Sequence, residues 1–112
     1  MKTIGEFNSS KWGKVSAQQG TYGGPTGPVA VVLMLEGGEP LATLSVNMYR
    51  PECSQDSRDL PPNCFYAKDW GGNETFTEDA LASGLFIERE DLPEALSGYV
   101  AAPVWQIAQV PS

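Results

Sequence analysis

The chain has no histidine and only two cysteines among its 112 residues. Without histidine, the sequence excludes Ser-His-Asp and Cys-His nucleophile systems and every zinc site that uses a histidine ligand. Two cysteines are also too few for a four-cysteine zinc site. We therefore expect no catalytic residue of these classes, no metal and no cofactor.

Long apolar segments are missing as well. The N-terminal residues MKTIGEFNSSKWGK contain no apolar stretch like that of a signal peptide, and the longest apolar run, around Val29–Leu35, is far too short to span a membrane. These features predict a cytoplasmic protein. Cys53 and Cys64 are then expected to be free thiols, and a disulfide that closes the loop between them is the alternative.

Basic residues are scarce, because 7 Lys and Arg stand against 14 Asp and Glu, for a formal net charge of -7. Residues 1–51 carry four basic and three acidic side chains, whereas residues 52–112 carry three basic and eleven acidic ones. Nucleic acid and anionic lipid both repel an acidic chain, so we expect no direct nucleic-acid binding and no membrane binding. A basic protein partner fits this charge, and simple solubility is the alternative explanation.

Turn residues are abundant, with 12 glycines and 9 prolines. This content favours many turns and short strands over a helical bundle. The length predicts a single domain over residues 1–112, with a long polar loop at residues 50–63 and a frayed tail at residues 108–112.

The clearest local pattern is a hairpin over residues 29–49. Val29–Glu36 is a continuous apolar run, typical of a central strand that is covered on both faces. Gly37 and Gly38 follow, and two glycines permit the positive φ angles of a type I′ turn. Residues 41–49 then alternate between apolar and polar, as a return strand does.

Weaker patterns complete the predicted fold. Strands are expected over residues 12–22, 64–70, 85–88 and 99–107, the last at a sheet edge or with a bulge because Pro103 cannot donate to a ladder. One main helix is expected to begin within residues 73–76, where Thr75 and Glu78 form a capping-box pattern, and to end near Gly84. The predicted fold class is α+β: a mostly antiparallel sheet of five or six strands with one main helix packed on it.

Carboxylates are the only plentiful groups that could carry chemistry, and they are densest between residues 69 and 94. We expect most of the acidic side chains in this segment to be exposed and to lie on one side of the fold. The density of acids has three alternative explanations. The acids only keep the surface solvated, or the helix dipole favours Glu74 and Glu78 at the helix N-terminus, or carboxylate pairs serve an enzyme, although the pairs present fit no known catalytic pattern. The predicted partner-binding residues are Asp69, Glu74, Glu78, Asp79, Glu88, Glu90, Asp91 and Trp70.

Four segments of the chain resemble an uncharacterised family of small proteins, known only as a domain of unknown function. They are GEPLATLSVN (38–47), FYAKDWGGNE (65–74), ALASGLFIE (80–88) and SGYVAAPVWQI (97–107). Members of that family are typically encoded on bacterial phages, plasmids and other mobile elements. The chain departs from it in the longer loop at residues 50–63, which carries both cysteines, and in Trp105, where the family often has cysteine.

The resemblance implies a small α+β domain and a mobile-element setting in the host cell cytoplasm, and it supplies no activity. Small acidic proteins of that setting often inhibit host defence systems, such as CRISPR complexes or restriction enzymes. The first hypothesis is therefore a non-enzymatic, anti-CRISPR-like inhibitor that binds a basic, nucleic-acid-handling surface of a defence complex through a phosphate-mimicking acidic face. The alternative is a structural or accessory phage protein that self-associates through the strand near Pro103 and its aromatic residues. Either protein is expected to be a monomer or a homodimer.

Overall fold

The structure, a computed structural model, describes residues 2–24 and 26–108. Its first four strands form one antiparallel sheet in the order β1-β2-β3-β4, which we call the N-terminal sheet. Val15 and Ala17 of the second strand lie on the same face as Val31 and Leu33 of the third, and all four are fully buried. The strands are β1 (Lys2–Ser9), β2 (Gly13–Thr21), β3 (Val29–Leu35) and β4 (Pro40–Thr43).

The predicted hairpin is confirmed at its turn, because β3 pairs antiparallel with β4 on either side of Gly37 and Gly38. Only Gly38 has a positive φ, 86°, so the turn is not the predicted type I′. The return strand is also shorter than predicted. It ends at Thr43, and the fully buried Leu44 donates its backbone N–H to the carbonyl of Val31 (2.9 Å) as the chain leaves the sheet.

A second antiparallel sheet, the C-terminal sheet, has the order β5-β6-β10-β7. A separate hairpin of two strands, β8 and β9, follows the acidic part of the chain. The strands of the C-terminal sheet are β5 (Ser45–Val46), β6 (Cys64–Ala67), β7 (Phe86–Glu88) and β10 (Val104–Ile107), and those of the separate hairpin are β8 (Ala95–Ser97) and β9 (Val100–Ala102).

The predicted α+β class is wrong. Over the described residues the chain is mostly β, with 44% strand and 11% helical residues, and it has ten strands in three antiparallel sheets and one short helix. The prediction missed β1 and β8, and it joined β9 and β10 into one strand. Strand β1 has only two large apolar residues, Ile4 and Phe7, and β8 is three residues long, so their pairing depends on neighbours that a local pattern does not reveal.

The helix is shorter than the capping-box pattern predicts. A 3₁₀ turn spans Asn73–Thr75, and the α-helix α1 spans only Thr77–Ala82. The Thr75 hydroxyl donates to the carbonyl of Gly72 (2.8 Å) instead of capping a helix N-terminus. Gly84, with a φ of 82°, follows the last turn. A helix of six residues packs on the sheets and does not define the architecture.

Pro103 divides the strand that the sequence predicts over residues 99–107. It stands between β9 and β10, where a missing N–H breaks no ladder, and its carbonyl accepts a hydrogen bond from the N–H of Ala67 (2.8 Å). The predicted edge position is wrong for β10, which lies in the interior of its sheet between β6 and β7.

Two groups of buried side chains hold the elements together. The larger group fills the space between the two sheets and includes Phe65, Phe86 and Trp105, whose rings meet edge-on or tilted with centroids 5.7–6.2 Å apart. The smaller group, which includes Tyr66 and Val104, covers the opposite face of the C-terminal sheet. Strand β6 contributes to both groups, which is why all four of its residues are buried.

Three further observations concern the remaining sequence-based expectations. Cys53 and Cys64 are both free thiols. Among the described residues, no helix has the length and apolarity needed to cross a bilayer. Of the tail expected to fray, Ala108 donates its N–H to the carbonyl of Leu85 (2.9 Å), and residues 109–112 lie outside the described part of the chain.

Candidate functional site: an acidic groove at one end of the C-terminal sheet

The order of strands in the C-terminal sheet brings distant acidic residues to one place. Strand β10 lies between β6 and β7 and is antiparallel to both, so β6 and β7 run in the same direction. Their carboxyl ends therefore meet at the same end of the sheet. Asp69 follows the end of β6, and Glu88 is the last residue of β7.

A groove of about 500 Å³ lies at this end of the sheet. The loop after β7 and the start of β10 both line it. Four carboxylates from two parts of the chain line it: Asp69 from the segment after β6, and Glu88, Glu90 and Glu94 from the end of β7 and the loop after it. We call this feature the acidic groove. Its other lining residues are Arg89, Leu92, Pro93, Pro103 and Val104.

Arg89 is the one basic residue in the described lining, and an acid outside the groove occupies it. Its Nε and Nη2 donate to the two carboxylate oxygens of Asp91 at 2.8 and 2.7 Å, and its Nη1 donates to Oε1 of Gln106 at 2.7 Å. The bidentate guanidinium lowers the pKa of Asp91 to about 2, and the same contact raises the pKa of Arg89. Arg89 therefore anchors the loop and does not neutralise the groove.

The four groove carboxylates are exposed, and none forms an ion pair within residues 2–24 and 26–108. Exposed, unpaired carboxylates accept strong hydrogen bonds from guanidinium or ammonium groups. In the same part of the chain, no group of three or more Cys, Asp or Glu residues is placed to hold a metal ion.

The structure separates the predicted partner-binding residues into three groups. Asp69, Glu88 and Glu90 come together in the acidic groove. Glu74 and Glu78 are exposed, but they lie at the 3₁₀ turn and α1 and do not line it.

The remaining three predicted residues contact other parts of the fold. Asp79 accepts hydrogen bonds from the backbone N–H and the hydroxyl of Ser10, at 2.9 and 3.2 Å, and so ties α1 to the loop after β1. Asp91 holds Arg89. Trp70 is half-buried against the smaller group of core residues.

The predicted binding set lacks Glu94, which follows Pro93 in the groove wall. Its position beside two other acids in one polar loop was visible in the sequence. The contribution of Pro103 and Val104 was not, because it depends on where β10 lies in the sheet.

Comparisons with protein-family models, with curated proteins and with solved structures found no match to this chain.

Proposed function

We propose that the protein is a non-enzymatic binding protein that takes a basic protein surface into the acidic groove. One observation carries this proposal: four exposed carboxylates from two distant parts of the chain lie together, and the guanidinium beside them already bonds Asp91. Like charges held close together repel one another, and a bound row of Arg or Lys side chains relieves that repulsion.

The energetics favour a partner that engages several carboxylates together. One exposed ion pair is worth only about 0.2–1 kcal/mol, so no single residue of the groove is decisive. Arginine is the better ligand, because its planar guanidinium can bond a carboxylate through two hydrogen bonds. Binding of this kind weakens as salt screens the charges.

We further propose that the partner is a host defence complex of the CRISPR-effector kind, whose nucleic-acid channel supplies the basic surface. This part rests on the family resemblance of residues 38–107 and on the acidity of the chain. Carboxylates spaced along a groove can take the place of phosphates in such a channel. The protein then inhibits the complex by occupying the surface that nucleic acid needs.

A pair of charge-matched variants tests the groove. The double variant Glu88→Lys/Glu90→Lys reverses two groove carboxylates, and Glu36→Lys/Glu39→Lys reverses two exposed carboxylates in the turn between β3 and β4. Both change the net charge by the same amount. Titration with an oligoarginine peptide should show at least a tenfold loss of affinity for the groove variant and a much smaller loss for the turn variant. Equal losses would show that only net charge matters and would contradict the proposal.

Inhibition needs its own assay. Binding of a guide-loaded effector complex to its target DNA is measured with wild-type protein and with each double variant present. The proposal expects inhibition by the wild type and by the turn variant, and loss of inhibition by the groove variant. Inhibition by all three proteins would assign the effect to another surface.

Self-association is the second candidate, and the hairpin β8–β9 favours it. Leu96 is 55% exposed, and Tyr99 at the tip is fully exposed. This hairpin directly precedes Pro103, near which the sequence predicts a self-associating strand. Sedimentation at several protein concentrations tests it. A dimer that persists in high salt and is lost in Leu96→Ser/Tyr99→Ser would support self-association, whereas a monomer at every concentration would exclude it.

A further inference from the structure

A second groove, of about 630 Å³, lies on another part of the surface, and no carboxylate is among its described lining residues. It runs between the turn that joins β2 to β3 and the loop at residues 50–63. Its volume falls within the range of small-molecule sites. We call it the tyrosine groove, because Tyr22 and Tyr49 both line it.

Specific backbone contacts hold the first wall in shape. The N–H of Tyr22 donates to the carbonyl of Pro28 (2.8 Å), and the Tyr22 hydroxyl is 2.7 Å from the hydroxyl of Ser45. At Gly27 a Cβ atom would overlap the carbonyl oxygen of Tyr22, so this position requires glycine. Contacts within the protein therefore set the shape of this wall without a ligand.

A buried carboxylate holds the second wall. Asp56 is only 3% exposed, and its oxygens accept hydrogen bonds from the backbone N–H groups of Arg50 (3.3 Å) and Arg58 (2.9 Å). They also accept from Nε and Nη2 of the Arg58 side chain, at 3.0 and 2.8 Å. The long polar loop is thus ordered around one internal carboxylate.

These contacts leave one edge of the Arg58 guanidinium available. Asp56 takes the edge formed by Nε and Nη2, and no acceptor within the described residues bonds Nη1. The Arg58 side chain is 72% exposed and lines the groove. A guanidinium fixed on one edge presents its remaining N–H groups in a defined orientation, which suits the two oxygens of an incoming carboxylate.

The neighbouring side chains fit the rest of such a ligand. The Tyr49 side chain is half exposed, and its hydroxyl accepts a hydrogen bond from the amide of Asn47 (2.7 Å), so the phenol hydrogen is free to donate. Leu60, Pro61 and Pro62 supply apolar surface on the same wall. The groove therefore offers hydrogen-bond donors and apolar surface without a competing carboxylate in its lining.

We propose that the tyrosine groove binds a small organic acid, with the carboxylate on the free edge of Arg58 and a ring or apolar body against Tyr49 and the prolines. Asp56 balances the charge of Arg58, so recognition depends on paired hydrogen bonds and shape more than on long-range attraction. This site is separate from the acidic groove, and a test of one does not affect the other.

Three probes test which features of the ligand matter: benzoate, benzyl alcohol and acetate. Binding is followed by chemical-shift changes of backbone amides. We expect saturable shifts for benzoate at residues of the tyrosine groove, and at least tenfold weaker binding of the other two probes. Equal binding of benzyl alcohol would show an apolar groove without anion recognition. The absence of saturable shifts with benzoate, or shifts located elsewhere, would overturn the proposal.

Variants test the assigned residues. Arg58→Gln and Tyr49→Ala should each weaken benzoate binding at least tenfold. Arg50→Gln is the matched control, because it removes a cation from the same loop but does not line the groove, and it should change the affinity less than twofold. If Arg58→Gln fails to fold because Asp56 loses its partner, Tyr49→Ala decides. Unchanged affinity in Tyr49→Ala or in a folded Arg58→Gln would contradict the proposal.

Discussion

Replacing Asn73 with alanine should destabilise the protein and disturb the acidic groove. Asn73 is only 5% exposed. Its side-chain amide donates to the carbonyls of Thr43 (2.9 Å) and Lys68 (3.0 Å), and so links the end of β4 to the segment that carries Asp69. Each lost hydrogen bond costs about 1 kcal/mol. We therefore expect the free energy of unfolding to fall by about 2 kcal/mol, or by more if no water replaces the amide as the donor to the two carbonyls.

Urea unfolding followed by tryptophan fluorescence measures this loss, because the buried Trp105 reports on the core. A loss of about 2 kcal/mol also lowers the Tm by roughly 8 °C in a domain of this size. Glu74→Gln is the control. Among the described residues, the exposed Glu74 carboxylate bonds only the N–H of Gly72, and this variant should stay within about 0.5 kcal/mol of the wild type. An Asn73→Ala protein as stable as Glu74→Gln would refute the assigned role of the amide.

Three further outcomes are expected. Phe65→Ala removes a ring packed between Phe86 and Trp105, and it should lower the free energy of unfolding by about 3–5 kcal/mol in the same urea assay. A loss below about 1 kcal/mol would contradict this packing. The Asp91 carboxyl should titrate near pH 2 by NMR, and near its ordinary value of 3.8 in Arg89→Gln. Since the pKa of Asp91 is lowered in the folded state, the stability that its ion pair provides is present above about pH 4 and is lost as the pH falls through about 2. An Asp91 titration midpoint that stays the same in Arg89→Gln would contradict the ion pair. Burial raises the pKa of Cys64, so a thiol reagent should label the half-buried Cys53 at least tenfold faster, and equal rates would be evidence against the burial of Cys64.

The turn between β3 and β4 could be predicted from sequence because its determinants are local. An apolar run, two glycines and an alternating segment occur in order over residues 29–49. The alternation continues past Thr43 without a break, and yet the chain changes sheets there. Leu44 is buried between the sheets, and the Ser45 hydroxyl accepts the N–H of Val31 (2.8 Å). This crossing depends on the second sheet, which the local pattern does not describe.

The helix was predicted too long for a different reason. Thr75 and Glu78 have the spacing of a capping box, but a spacing cannot show which acceptor the threonine hydroxyl will choose. Here the hydroxyl bonds Gly72, and the amide of Asn73 bonds two carbonyls, so the segment begins as a 3₁₀ turn. Tertiary contacts of a buried asparagine therefore outweighed a local helix pattern.

The candidate site was predictable in composition but not in arrangement. The density of acids in residues 69–94 was evident, and it identified Asp69, Glu88 and Glu90. Their convergence depends on β10 lying between β6 and β7, which pairs residues distant in the chain. The same topology leaves Glu74 and Glu78 out of the groove, although they are close to Asp69 in sequence.

The most direct test of the central claim is to map where a basic ligand binds. Backbone amide shifts are recorded while an oligoarginine peptide is added at low salt and again at high salt. The acidic groove predicts the largest shifts at Asp69, at residues 88–94 and at Val104, with weaker binding at high salt. Shifts centred on the hairpin β8–β9 or on α1, or an affinity that salt does not change, would contradict it.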